Sequence, residues 1–212
     1  MIVNPRITAY INSTDQDIPL WLDNLRTQAV SDNVPVIRQE MESFLKVIIK
    51  ILHPKDILEI GTGVGYSALY MSSCLEGSDF HITTIENYEP RLEKARSNLK
   101  GHPQITLLEG DACEIIKSLD RRFDLIFLDG PKAQYPVMYP VLKDLLVSGG
   151  VLLADNVLQD GTLAFSRYAL DRRQRTIHER MRDFVWQARH DNDMDASLLT
   201  VGDGVLMSVK KI

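Results

Sequence analysis

Asp56-Ile57-Leu58-Glu59-Ile60-Gly61-Thr62-Gly63-Val64-Gly65-Tyr66-Ser67 reads as a short buried β-strand that turns, through three alternating glycines, into a helix. Gly61, Gly63 and Gly65 stand where backbone must approach a ligand closely and where φ can be positive. The spacing is GxGxG and not the GxGxxG that cradles a pyrophosphate at a helix N-terminus. The shorter turn suits a nucleotide-type cofactor that offers no phosphate there.

Outward from this turn the chain alternates. Residues 56–61, 81–86, 105–111, 123–129 and 150–156 are β-rich apolar runs, and 66–75, 90–99, 112–119 and 135–146 have the length and periodicity of helices. Strands apolar on both faces in βαβα order predict a doubly wound α/β fold around a mostly parallel sheet. Ahead of it, 16–30 and 36–52 carry apolar residues at helical spacing, broken by turn chemistry at Asp32-Asn33-Val34-Pro35, so two or three N-terminal helices are expected. After it come a polar crossover, a long helix over 176–190, and a hairpin of 198–201 and 204–209 around Gly202-Asp203-Gly204. That antiparallel end brings the expected sheet to seven strands and departs from the usual dinucleotide-binding order. One domain over 1–212 is expected, with a helical part over 1–53 and an α/β core over 54–212.

Open α/β sheets bind ligands beyond the carboxyl ends of their strands, which gives the acids there a meaning. Glu59, just before the turn, can orient it or receive an ammonium through a water. Glu86 ends the second strand, where a carboxylate can accept both hydroxyls of a ribose. Asp111 ends the third, placed to meet an adenine amino group with Ala112 beside it, although each acid could instead cap the helix that follows. Leu128-Asp129-Gly130 and Ala154-Asp155-Asn156 end two further strands, so Asp129 and Asp155 should meet at one edge of the sheet. Two carboxylates and the Asn156 amide form an all-oxygen set that suits Mg²⁺ or Mn²⁺, while the absence of a cysteine or histidine cluster disfavours zinc. Such a cation would acidify a bound hydroxyl and aim its oxygen at a methyl group, and Lys132 could take the proton or stabilise the oxyanion, or be no more than a solvated loop lysine.

Composition narrows the class. With 44% hydrophobic and 25% charged residues and no apolar run near the ~20 residues that span a bilayer, a membrane-spanning role is not expected. The N-terminus lacks a basic patch leading into an apolar core, so cytoplasmic residence is the default. Cys74 and Cys113 show no CxxC spacing and read as two reduced thiols. A net charge of −5 argues against a generally basic coat.

Together these residues resemble the class I S-adenosylmethionine-dependent, divalent-cation-dependent O-methyltransferases, the group that includes catechol and caffeoyl-CoA methyltransferases. The resemblance runs over most of the chain and implies the Rossmann-like methyltransferase fold. It further implies that Glu59, Ser67 and Glu86 contact the cofactor, with Ile37 from the second N-terminal helix lining it. By the same resemblance Asp129, Asp155 and Asn156 are metal ligands and Lys132 is the catalytic lysine. LDGPKAQY, ADNVL, RRQRTI and VGDGVLMSVKK look like the bacterial branch that methylates 5-hydroxyuridine at the tRNA wobble position. Where catechol enzymes place bulky residues between aspartate and lysine, this chain has Gly130-Pro131, which implies a different substrate wall. The resemblance also implies a homodimer, for which the N-terminal helices offer a surface.

One charge pattern agrees with a tRNA partner. Over 165–190 seven arginines face three acids, a local charge of +4. Arg172, Arg173 and Arg175 could hold phosphates of an anticodon loop while an unstacked base enters the pocket, with Tyr135 or Phe165 either stacking on it or packing in the core. A helix face laced with ion pairs explains the same arginines without RNA. Two other functions stay in view: methylation of a small catechol-like phenol, which needs no arginine segment, and a non-catalytic cofactor- or RNA-binding module. A nicotinamide oxidoreductase is disfavoured by the GxGxG spacing and the terminal hairpin.

Overall fold

The computed structural model describes residues 2–212. Its sheet contains β1 (Asp56–Ile60), β2 (His81–Glu86), β3 (Ile105–Glu109), β4 (Phe123–Leu128), β5 (Leu146–Ala154), β6 (Met194–Leu199) and β7 (Val205–Lys210), in the order β3-β2-β1-β4-β5-β7-β6. Neighbours among β1 to β5 pair in parallel, β7 runs against β5, and β6 runs against β7. The expected doubly wound sheet with an antiparallel end is therefore what the chain forms.

Three helices precede it, α1 (Pro5–Ser13), α2 (Leu20–Ser31) and α3 (Gln39–Leu52), and five lie between its strands in chain order, α4 (Tyr66–Cys74), α5 (Glu89–Asn98), α6 (Ala112–Ser118), α7 (Tyr135–Leu145) and α8 (Arg175–Arg189). Because side chains alternate along a strand, each central strand feeds two cores. Ile57, Leu125, Phe127 and Leu153 pack with α2 to α5 on one face. Leu58, Ile126, Leu128 and Leu152 pack with α6 to α8 on the other. These side chains are almost fully buried, each stabilising the fold by ~1.5–3 kcal/mol. Two complete cores hold the strand ends rigidly, which a site built there requires. Among the described residues no helix is long and apolar enough to cross a membrane.

Boundaries differ from expectation where local pattern and tertiary pairing part. The helix expected over 16–30 begins at Leu20 because Pro19 occupies its N-cap, and α1, with Pro5 in its first turn and Asn4 Oδ1 accepting from Arg6 N, has no buried residue to mark it. The strand expected over 150–156 starts earlier, at Leu146. Between the Phe123–Leu146 and Leu125–Val151 pairs β5 carries extra residues, a bulge that takes in Gly149 and Gly150. The first hairpin strand covers 194–199 instead of 198–201. It lies at the sheet edge, where Asp195 and Ser197 are exposed, and such polar positions conceal a strand from a reading by apolar runs.

Candidate active site

Beyond the carboxyl ends of β1, β2, β4 and β5 lies a cavity of ≈ 450 Å³. Its floor is the glycine turn. Gly61 has φ +102°, and a Cβ there would stand 2.4 Å from the Asp129 carbonyl oxygen, so the turn and the end of β4 are in direct backbone contact. Gly63 has φ +57° and donates its N–H to Glu86 Oε2 at 3.0 Å. The other Glu86 oxygen accepts from Asn87 N at 2.9 Å and Tyr88 N at 3.0 Å. Three backbone donors thus fix this carboxylate at the cavity wall, leaving acceptor capacity for paired hydroxyls. Gly65 sits outside the cavity as the left-handed N-cap of α4.

Glu59 is fully buried behind the turn. Thr84 Oγ1 donates to its Oε2 at 2.6 Å, and the Thr84 and Thr62 hydroxyls lie 2.6 Å apart. Glu59 Oε1 has no partner with hydrogen-bond geometry, although the Ser67 hydroxyl is near enough to favour the charged form. Burial outweighs these hydroxyls and pushes the Glu59 carboxyl up to about 7. Glu59 is not on the cavity wall, so it bears on a ligand there only through the turn it braces.

Beside the turn, Asp129 follows β4 and Asp155 follows β5, and the Asp155 N–H donates to Leu128 O at 3.0 Å. Asp155 is 3% exposed, and its Oδ1 accepts from Asn156 N at 2.6 Å. Desolvation, then repulsion from Asp129, drives the Asp155 carboxyl up to about 7. Asp129 keeps a quarter of its side-chain surface open, yet the surrounding protein is dense enough that burial raises it too, against the pull of Lys132. Lys132, in the short 3₁₀ turn Lys132–Gln134, places Nζ 3.0 Å from Asp129 Oδ1. Asn156 has φ +57° and lines the same wall.

Two adjacent carboxylates that resist ionising together, with an amide beside them, fit a hard divalent cation. Among the described residues no three histidine, cysteine, aspartate or glutamate side chains gather as a metal cage. Any cation here would thus take its remaining positions from water and a substrate oxygen.

Of the residues singled out in the sequence, Ile37, Gly61, Gly63, Glu86, Ala112, Asp129, Lys132, Asp155 and Asn156 share the cavity wall. Asp111 does not line it. Its Oδ1 accepts from Cys113 N at 2.8 Å, capping α6. Arg172, Arg173 and Arg175 also lie outside the cavity. The first two are exposed in the turn before α8, and Arg175 Nε donates to Leu170 O at 3.1 Å. Tyr135 cannot stack on a base: it is fully buried, and its hydroxyl donates to Leu128 O at 3.0 Å and lies 3.4 Å from Asp155 O. Phe165 and Tyr168 are exposed instead, the latter under the Arg167 guanidinium.

The sequence reading missed Arg38, Tyr88 and Arg91, all on the cavity wall. Arg91 Nη1 lies 4.0 Å from Glu86 Oε2, and its guanidinium covers the Tyr88 ring. For Tyr88 and Arg91, nearness to Glu86, two and five residues upstream, was the signal the sequence offered.

Known proteins resemble this chain in sequence and in fold. The chain is 32% identical to caffeoyl-CoA O-methyltransferase of Petroselinum crispum, over 77% of this chain and 72% of that one. It is 31% identical to catechol O-methyltransferase of Niastella koreensis over 56% of each. Among solved structures, the SAH-bound methyltransferase PaMTH1 of Podospora anserina superposes with a TM-score of 0.88 at 27% identity, covering 98% of this chain and 94% of that one. The sequence model of the O-methyltransferase family matches residues 12–211, and the chain belongs to that family.

Proposed function

We propose that the chain transfers a methyl group from S-adenosylmethionine, with Mg²⁺ or Mn²⁺, to the 5-hydroxyl of a tRNA wobble uridine, giving 5-methoxyuridine. The observation that carries the chemistry is the Asp129–Asp155 pair with Lys132 Nζ at 3.0 Å from Asp129, in one cavity with the glycine turn and Glu86. Glu86 accepts the ribose hydroxyls, and Glu59, buried behind the turn, braces it. Asp129, Asp155 and Asn156 would hold the cation, which supplies Lewis acidity to the acceptor oxygen. Lys132 takes the hydroxyl proton at Nζ, and the cavity walls hold oxygen, methyl carbon and sulfur in line.

Support for an RNA acceptor lies outside the cavity. The crossover exposes Phe165 and Tyr168 and, in the same stretch of chain, Arg167, Arg172 and Arg173, of which Arg167 pairs with Glu179 at 2.9 Å and the other two are exposed in the turn before α8. Arg180 Nη1 donates to Ala133 O at 3.0 Å, tying α8 to the Lys132 turn. The caffeoyl-CoA and catechol relatives favour a second acceptor, a small catechol-like phenol. A homodimer belongs to the same proposal: Ile7, Tyr10 and Ile11 of α1, Leu20 of α2 and Val47 and Ile51 of α3 are all exposed, an apolar face for a second copy.

Methyl incorporation from labelled S-adenosylmethionine into tRNA carrying 5-hydroxyuridine, with Mg²⁺ or EDTA and beside catechol, tests the reading. Cation-dependent label recovered as 5-methoxyuridine is expected. Label in catechol alone moves the acceptor to a small phenol.

A further inference from the structure

From Asn156 to Gly161 the backbone repeatedly enters the left-handed region: Asn156 has φ +57°, Gln159 +49°, Asp160 +55° and Gly161 +88°. Side-chain-bearing residues avoid that region unless the surroundings hold them in it. What holds this segment is the turn between β6 and β7. Val157 N donates to Gly204 O at 2.9 Å and Leu158 N to Asp203 O at 3.2 Å. Asp160 N donates to Asp203 Oδ1 at 2.6 Å, a short charge-assisted bond that satisfies an amide the left-handed turn directs inward. Leu158 lies so close against Gly204 that a Cβ there would stand 2.4 Å from Leu158 Cγ.

The same carboxylate reaches a second wall. Asp203 Oδ2 is 3.7 Å from Arg38 Nη2, and that nitrogen is 3.6 Å from Asp160 Oδ1. Arg38 and its neighbour Ile37 line the cavity from the N-terminal side, while Asn156 lines it from β5. Asp203 is itself 9% exposed and does not line the cavity. Its side chain joins three segments far apart in sequence, two of which form the site.

We infer that Asp203 is a positioning residue: through the 157–160 backbone it sets the Asn156 carboxamide, and through Arg38 it moors the wall formed by Ile37 and Arg38. The first half rests on the reading of Asn156 as a cation-holding residue. The second stands on the ion pair and the cavity wall alone.

Full-length wild type, Asp203→Asn and Asp203→Ala are compared for Mn²⁺ binding by electron paramagnetic resonance, for SAH binding by calorimetry, and for amide exchange. Asp203→Asn keeps an acceptor for Asp160 N and loses the charge facing Arg38. It is expected to bind Mn²⁺ as the wild type does and SAH about threefold more weakly, the scale of a half-exposed ion pair. Asp203→Ala keeps the main-chain bonds of Val157 and Leu158 to the turn and removes the acceptor for Asp160 N, and it is expected to bind Mn²⁺ about tenfold more weakly, the low end for groups that support a ligand. Its faster exchange should be confined to 157–161, with β1 and β4 unchanged. Wild-type affinity for both ligands in Asp203→Ala overturns the proposal, as does an exchange increase spread evenly over the sheet. If Asp203→Ala does not fold, unchanged SAH affinity in Asp203→Asn overturns the mooring. A wild type that binds no Mn²⁺ removes the cation reading of Asn156 and leaves the mooring to be judged by SAH affinity and exchange.

Discussion

The Lys132–Asp129 pair is partly exposed, and an ion pair so placed adds only ~0–1 kcal/mol to stability. Its removal should therefore show in turnover and not in the fold. Lys132→Ala is expected to lower kcat by ~10²–10⁴, with SAH affinity by calorimetry and the melting temperature close to wild type. Loss of SAH affinity instead would make Lys132 a binding residue. Glu59 carries the opposite signature. Its carboxyl titrates at about 7 in the folded protein and near 4.5 when unfolded, so between those values the folded state holds a proton that the unfolded chain has released. Stability conferred by Glu59 is then lost as pH rises through that window and stays low above it. Relative to Glu59→Gln, the ligand-free wild type should melt about 5 °C lower at pH 8 than at pH 5. A difference that does not change with pH would mean the carboxyl is ordinary. At this scale Glu86, Asp129 and Asp155 were legible because a parallel sheet sends every strand end to one rim. Arg38 and Asp203 were not, because their partners come from segments whose proximity only the folded chain creates.

Between β1 and α4 the three glycines face different demands. A side chain at Gly61 would collide with the Asp129 carbonyl, whereas at Gly63 nothing lies within 4 Å and only the positive φ objects. Gly63→Ala should thus cost the ~1–2 kcal/mol of a left-handed alanine and retain measurable SAH binding. Gly61→Ala should push the turn from the end of β4 and abolish SAH binding, with the larger drop in melting temperature. Equal effects in thermal denaturation and calorimetry would refute the backbone contact. Elements with one dominant signal, such as β1, β2 and α4, were readable from sequence to within a residue or two. Those shaped by their neighbours were not: the β5 bulge depends on its register with β4, and polar β6 is a strand because β7 offers it an edge.

Over the whole molecule, the arginine-rich segment and the cavity are separate places. The cavity's cofactor side is built from the sheet and its turns, while the basic crossover lies outside that wall and carries the polyanion in the proposed reaction. Arg172→Glu with Arg173→Glu should raise KM for tRNA about tenfold or more and weaken the salt dependence of binding, since every phosphate that is no longer neutralised takes nearly one unit from the slope. Catechol turnover should not change. A parallel fall in both substrates would return these arginines to a structural role. The +4 segment was visible in composition, but its placement beyond the cavity was not, because the turn before α8 has no periodicity to orient it.

The buried Tyr135 hydroxyl touches the carbonyls of Leu128 and Asp155, one at the tip of each strand that supplies a carboxylate. One phenol thus links the two tips from behind, donating to the first at 3.0 Å and lying 3.4 Å from the second. A cation held by Asp129, Asp155 and Asn156 would therefore sit on two strand tips that one buried phenol ties together from behind.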